Sequence, residues 1–171
     1  YIPFLLLPVA GLVASIFAIP LGLVALRTRR HIFVVFTIAL FFIFQLLAYN
    51  LPQITNGVQG IYMPLPPWNG DFFNTPFYYV SLIVLLLGFG TAWWIRNSKY
   101  GLGLLAIRDD EDRALSLGVK TFNYKLIAYV ISAFFIGMAG ALINYFLGSV
   151  APAGAFNPSL DVTIALMSLL G

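Results

Sequence analysis

Apolar residues fill this chain in long runs, and polar residues are confined to the breaks between them. Four runs, about 2–26, 32–51, 77–95 and 125–147, reach the length needed to cross the hydrocarbon of a bilayer as a helix, roughly 20 residues. A fifth begins near Ser159 and is cut off at Gly171. Apolar and polar residues do not alternate within these runs, as they would in a transmembrane β-strand. A helix satisfies its own backbone groups inside lipid over one such run. The pattern predicts an all-α integral membrane protein, a polytopic transmembrane helix bundle. The chain opens in "YIPFLLL" and closes in "IALMSLLG", so it is expected to be a piece of a longer polypeptide.

Composition strengthens this reading. The 171 residues are 61% hydrophobic and 9% charged, with a mean hydropathy of +0.94. Soluble domains carry about 25% charged residues, so this chain cannot cover a water-facing surface. The positions of its charges matter more than the net charge of +3. Arg27, Arg29 and Arg30 follow the first run, and Arg96, Lys99, Arg108, Arg113, Lys120 and Lys125 lie between the third and fourth, which accounts for all nine Lys and Arg. The segment 52–76 carries only Asp71, and 148–158 is uncharged. With four spans, both basic loops fall on one side, and the positive-inside rule makes that side the cytoplasm. A nucleic-acid partner is therefore not expected. The outer segment 52–76 is broken by Pro, Gly and Asn yet keeps Ile61, Tyr62, Met63, Leu65, Trp68, Phe72 and Phe73, a composition that suits the outer membrane interface.

Within the runs, small residues recur at helical spacing: Ala10, Ala14 and Ala18, with Gly11 and Ser15 beside them, and Ala133, Gly137 and Ala141, with Gly140 adjacent. Small residues let helix backbones approach in lipid, so these stripes predict packing within a bundle. Pro8 and Pro20 are expected to interrupt or kink the first span.

Catalytic chemistry has little to work with. There is no Cys and a single histidine, His31, so thiolate and histidine metal clusters are excluded. No phosphate-cradling GxxxxGK[ST] loop is present. Apart from Asp161, at the start of the fifth run, no charged residue lies within a span, which argues against a proton pump or proton-coupled carrier. Thr37, Gln45, Asn144 and Tyr145 are polar groups inside the spans; they serve either interhelical hydrogen bonding or a polar substrate path.

The densest charge is the run "RDDEDRALSLG", Arg108–Gly118. Asp109 is placed to cap a helix whose first turn holds Asp110, Glu111 and Asp112, where the helix dipole favours negative charge. Ala114, Leu115 and Leu117 give it an apolar side, and Gly118 is placed to end it. The expectation is a two-turn helix over about 110–117 in a cytoplasmic loop, 96–124. So short a helix needs outside support. An acidic one suits a protein partner better than an anionic lipid surface, and a merely structured loop is the alternative.

The segment "SKYGLGLLAIRDDEDRALSLGVKTFNYKLIAYVISAFFIGMAGAL", residues 98–142, closely resembles the inner-membrane permeases of branched-chain amino-acid ABC importers. Weaker likenesses lie in "LRTRRHIFVVFTIAL" and "ITNGVQGI", where Asn56 stands at a position the family usually gives to glycine. The resemblance implies one permease domain spanning 1–171, in a bacterial or archaeal cytoplasmic membrane. It implies a second permease subunit, two cytoplasmic ATPase subunits that hold ATP and Mg, and an extracytoplasmic solute-binding protein, with membrane lipid around the bundle. This chain itself would bind no cofactor or metal. Arg108, Asp109, Asp110, Glu111, Asp112, Arg113, Ala114, Leu115 and Gly118 would form the coupling helix that meets an ATPase. Thr37, Gln45, Thr55, Asn56, Gly57, Gly60 and Asn144 are the candidates for the substrate path. The cargo is expected to be a branched-chain or other neutral amino acid, with urea or a short amide as the alternative within the family. An integral-membrane enzyme or a purely structural membrane subunit are the alternatives outside it.

Overall fold

The computed structural model describes residues 2–27, 30–63 and 70–170. Arg29 of the first basic cluster, with Leu65 and Trp68 of the outer segment, lies outside the described residues, as do the side chains of Arg30, His31, Asp71 and Phe72.

The first apolar run forms α1 (Ile2–Leu5) and α2 (Leu7–Ala25). Pro8 interrupts the first run as expected, since the helix breaks at Leu6 and restarts around it. It stands in the first turn of α2, where proline has no amide hydrogen to lose, and therefore starts that helix, whereas Pro20 lies within it. The second run forms α3 (Arg30–Asn50), followed by the single turn α4 (Pro52–Thr55), a 3-10 turn (Gly57–Gln59) and the two-residue strand β1 (Ile61–Tyr62). The third run lies in α5 (Gly70–Arg96), which starts seven residues before the apolar run at 77 because its polar first turns are also helical.

Next come α6 (Lys99–Asp109), α7 (Glu111–Ser116) and α8 (Thr121–Leu147). Strand β2 (Ser149–Val150), the turn α9 (Pro152–Ala155) and α10 (Pro158–Leu170) complete the order. Among the described residues, Leu7–Ala25, Phe73–Arg96 and Thr121–Leu147 are long and apolar enough to cross a membrane, and Val35–Asn50 is a shorter apolar helix.

The most extensive packing is between α2 and α8. The buried face of α2 is Leu7, Gly11, Ser15, Ala18, Gly22 and Ala25, spaced by three and four, so the seam follows Gly11 and Ser15 more closely than Ala10 and Ala14. A Cβ on Gly11 would lie 2.8 Å from the Phe134 carbonyl oxygen, and one on Gly137 would lie 2.5 Å from the Ala14 Cβ. These approaches require glycine. Ser15 Oγ donates to the carbonyl of Gly11 at 3.0 Å and has the Val130 carbonyl of α8 at 3.3 Å, so its hydroxyl is satisfied without water. Gly140, by contrast, faces open space.

The two ends of the bundle differ in chemistry. At one end Arg27 lies over the ring of Phe122, 5.8 Å from its centroid, joining the end of α2 to the start of α8 among the basic segments. At the other, β1 pairs antiparallel with β2, Ile61 opposite Val150 and Tyr62 opposite Ser149, which ties the two loops that lack Lys and Arg together. A cluster of aromatic rings (Phe4, Phe73, Phe77, Tyr145 and Phe146) joins α1, α5 and the end of α8, with centroids 5.2–5.9 Å apart. Charge asymmetry along the sequence has thus become asymmetry between the ends of the molecule.

Candidate functional site

At the basic end, α6, α7 and the first turns of α8 form one tied unit. Ser98 caps α6: its hydroxyl oxygen accepts from the amide of Gly101 at 3.3 Å and donates to the carbonyl of Ile95 at 2.6 Å. Gly101 permits this sharp turn out of α5, since a Cβ there would lie 2.4 Å from the carbonyl oxygens of Ile95 and Arg96. In the same turn, the ring of Tyr100 stacks on Tyr124 of α8 with centroids 4.3 Å apart and planes 14° from parallel. The Tyr100 hydroxyl donates to the Asn123 carbonyl at 3.2 Å. Burial, with Tyr124 alongside, pushes the Tyr100 phenol above its ordinary pKa of 10.0. Gly103 leaves room for this stack, because a Cβ on it would fall 2.3 Å from Tyr124 Cε1.

The acidic run divides into distinct roles. Asp110, not Asp109, caps α7: its Oδ1 accepts from the amides of Asp112 at 3.0 Å and Arg113 at 3.1 Å. Asp109 is the last residue of α6, which the glycine-rich "KYGLGLL" had hidden, so the cap falls one residue later than expected. The helix itself is Glu111–Ser116. Its Glu111 pairs with Lys125 of α8, and Arg113 Nε reaches Asp110 Oδ2 at 3.0 Å. Both pairs are substantially exposed, so they orient more than they stabilise.

Gly118 ends α7 as expected. It adopts φ +84°, donates to the Leu115 carbonyl at 3.0 Å, and lets Val119 donate to the Ala114 carbonyl at 3.0 Å. This is a Schellman closure, which needs a left-handed residue at that place.

The three apolar residues of this segment do not share a side. Ala114 is 2% exposed and packs inward, whereas Leu115 and Leu117 are 60% and 83% exposed. Asp109 and Asp112 are also exposed and make no ion pair among the described residues. The outward side of α7 and its end therefore include two exposed leucines and, with Asp109, two carboxylates without an ion pair. Arg108 lies elsewhere: it projects from α6 into a groove shared with α5 and α8.

Apart from Thr37, which lies in the first half of α3, the substrate-path candidates lie toward the opposite end. Thr55 Oγ1 donates to the Ala48 carbonyl at 2.6 Å and accepts from the amide of Gly57 at 3.4 Å. Asn56 adopts φ +58°, the only positive φ outside glycine among the described residues, and its Nδ2 donates to the Gly60 carbonyl at 3.3 Å. Asparagine is among the non-glycine residues that best tolerate this conformation. Gly60, at φ +73°, lies so close to β2 that a Cβ would be 2.3 Å from the Val150 carbonyl oxygen. These four residues thus form one turn. Gln45 donates to the Phe156 carbonyl at 3.4 Å, joining α3 to the segment after α9. Thr37 is two turns away along α3, about 12 Å, and Asn144 lies in the last turns of α8.

The Tyr100–Tyr124 stack and the Glu111–Lys125 pair had no local sequence signal. Each joins residues 24 or 14 positions apart, across an intervening turn.

A bundle of long apolar helices, small-residue seams and a capped turn at one charged end defines a multi-pass membrane protein. Residues 1–171 match the family described as the branched-chain amino acid transport system permease component, and the chain belongs to that family. It is 30% identical over 172 aligned residues to the high-affinity branched-chain amino acid transport system permease protein LivM of Escherichia coli K12, covering 85% of this chain and 40% of that protein. The same figures hold for LivM of Salmonella typhimurium LT2. A Haloferax volcanii permease protein named for glucose ABC transport, TsgC13, is 29% identical over 98 residues, 56% of this chain and 29% of the relative. The chain thus spans less than half the length of these relatives. No solved structure matches it.

Proposed function

We propose that this chain is part of the pore-forming permease of an ATP-driven importer, and that α7 is where cytoplasmic ATPase subunits engage it. The observation that carries this reading is the exposure of Leu115 and Leu117 on a helix fixed at both ends. Large apolar residues presented beside unpaired carboxylates, among basic segments, suit a protein groove better than lipid or water. Asp109 and Asp112 are then the carboxylates that face the partner, because Asp110 is engaged in the cap and Glu111 by Lys125.

The basic end is the cytoplasmic one, by the positive-inside rule, in the cytoplasmic membrane of a bacterium or archaeon. Each ATPase holds its own ATP and Mg, a second permease completes the pore, and an extracytoplasmic binding protein delivers the solute. The LivM relatives support a branched-chain or other neutral amino acid as cargo. Because the Glu111–Lys125 pair joins α7 to α8, and the Tyr100 stack joins the preceding α6 to α8, motion of the ATPases reaches a spanning helix through side-chain contacts.

The test is co-purification of the ATPase subunits with the full-length permease. It is expected to be lost in Gly118→Arg and in the Asp109→Lys, Asp112→Lys pair. ATPase binding that survives both changes rules the reading out. Uptake of labelled leucine against labelled urea by the reconstituted transporter then assigns the cargo.

A further inference from the structure

A trough runs along the side of the bundle between α5 and α8. Its half away from the basic end, about 670 Å³, is walled by residues such as Val84, Leu85, Phe89, Leu142 and Ile143. Its half toward the basic end, about 690 Å³, adds α6 as a third wall, through Leu104 and Leu105. Gly88, Ala92, Phe135 and Ile136 line both halves, so the trough is continuous. Two arginines from different helices close its basic end: Arg96, the last residue of α5, and Arg108, in the last turn of α6. Both are exposed and unpaired among the described residues, and no acidic residue is among those lining the trough.

We propose that this trough holds an acyl chain of an anionic phospholipid whose phosphate sits between Arg96 and Arg108. On α5 the lining runs from Ser81 to Arg96, about 22 Å of helix, which exceeds the roughly 15 Å depth of one leaflet's hydrocarbon. Guanidinium groups offer paired donors that match phosphate oxygens, and basic pockets between spanning helices bind anionic headgroups. The charge also favours lipid over the rival occupant. An apolar helix laid along the trough would leave the two guanidiniums without an anionic partner. An anionic lipid neutralises both while its chain fills the apolar length. This reading concerns the side of the bundle and does not depend on what α7 contacts.

The test uses the full-length permease in nanodiscs of phosphatidylglycerol and phosphatidylcholine, with the lipid retained on detergent extraction measured by mass spectrometry. Wild type is expected to retain phosphatidylglycerol selectively. Each Arg→Gln change is expected to lower that preference about fivefold, and Arg96→Gln with Arg108→Gln about twenty-five-fold. The Arg96→Lys, Arg108→Lys pair, which keeps the charge, is expected to retain most of it and serves as the control for folding. In the same discs, a photoreactive phosphatidylglycerol is expected to label Ser132→Cys at the trough wall. Undiminished preference in the Gln pair, equal loss in the Lys pair, or cross-linking of Ser132→Cys to a protein segment in place of lipid would each overturn the proposal.

Discussion

Tyr100 and Tyr124 lie ring over ring, 4.3 Å between centroids, and this stack joins α6 to α8 at the basic end. It exists because Gly103 carries no side chain: a Cβ there would sit 2.3 Å from the Tyr124 ring. Gly103→Val is therefore expected to force the ring aside and destabilise the protein by about 1–3 kcal/mol, the usual cost of overpacking. Thermal melting of the detergent-solubilised protein measures this, and an unchanged melting temperature would contradict the packing described.

The same stack sets a pH dependence. Burial and the neighbouring Tyr124 raise the folded-state pKa of Tyr100 above 10.0, so the folded state favours the neutral phenol. Its contribution is complete below pH 10, the unfolded value, and is lost as pH rises through the higher folded value. Hydrogen exchange across α6 is expected to be flat from pH 7 to 9, after correction for intrinsic rates, and to accelerate above pH 10. Tyr100→Phe is expected to abolish that acceleration.

Both ends of α7 are chemically fixed, and they respond differently to substitution. Asp110→Ala removes the cap and is expected to cost about 1 kcal/mol, whereas Asp110→Asn preserves an acceptor and costs much less. Gly118 faces open space, so Gly118→Ala meets no clash and suffers only the left-handed backbone penalty, about 1–2 kcal/mol. Gly118→Asn is expected to be milder than Gly118→Ala. Amide exchange of residues 112–117 reports all four variants.

The α2–α8 seam makes a sharper contrast between two glycines three residues apart. Gly137→Ala would place a Cβ 2.5 Å from that of Ala14, while Gly140→Ala meets nothing within 4 Å. The first is expected to lower the melting temperature by several degrees, and the second to leave it unchanged or raise it slightly. Equal effects at both positions would mean that the seam is misplaced.

Much of this architecture is legible in the sequence because lipid imposes simple rules. Runs of apolar residues mark the long helices, and the confinement of Lys and Arg to two segments foreshadows the two unlike ends. Gly118 reads correctly as a helix stop, since a left-handed closure favours glycine. The capping residue does not, because Asp109 and Asp110 are identical in type and only the end of α6 decides between them. That helix was hidden by Gly101 and Gly103, which propensity disfavours but close packing to the Arg96 carbonyl and the Tyr124 ring requires.

The buried face of α2 takes Gly11 and Ser15 from one of the two small-residue stripes and Ala18 from the other, and Ala14 meets Gly137 at its edge. Pairing of β1 with β2 was beyond reach, as two-residue strands nearly ninety positions apart carry no periodicity. Of the substrate-path candidates, Thr55, Asn56, Gly57 and Gly60 meet in one turn, a consequence of two left-handed glycines and Asn56 that spacing alone does not reveal.

We propose that the exposed face of α7 meets an ATPase subunit. Site-directed cross-linking from Leu117→Cys in the assembled full-length transporter tests it most directly, because that side chain is 83% exposed and its removal disturbs no packing. A cross-link to the ATPase that depends on Leu117→Cys, with none from Leu147→Cys at the opposite end of α8, is the result expected. No cross-link from Leu117→Cys in a complex that still hydrolyses ATP and transports solute would contradict it.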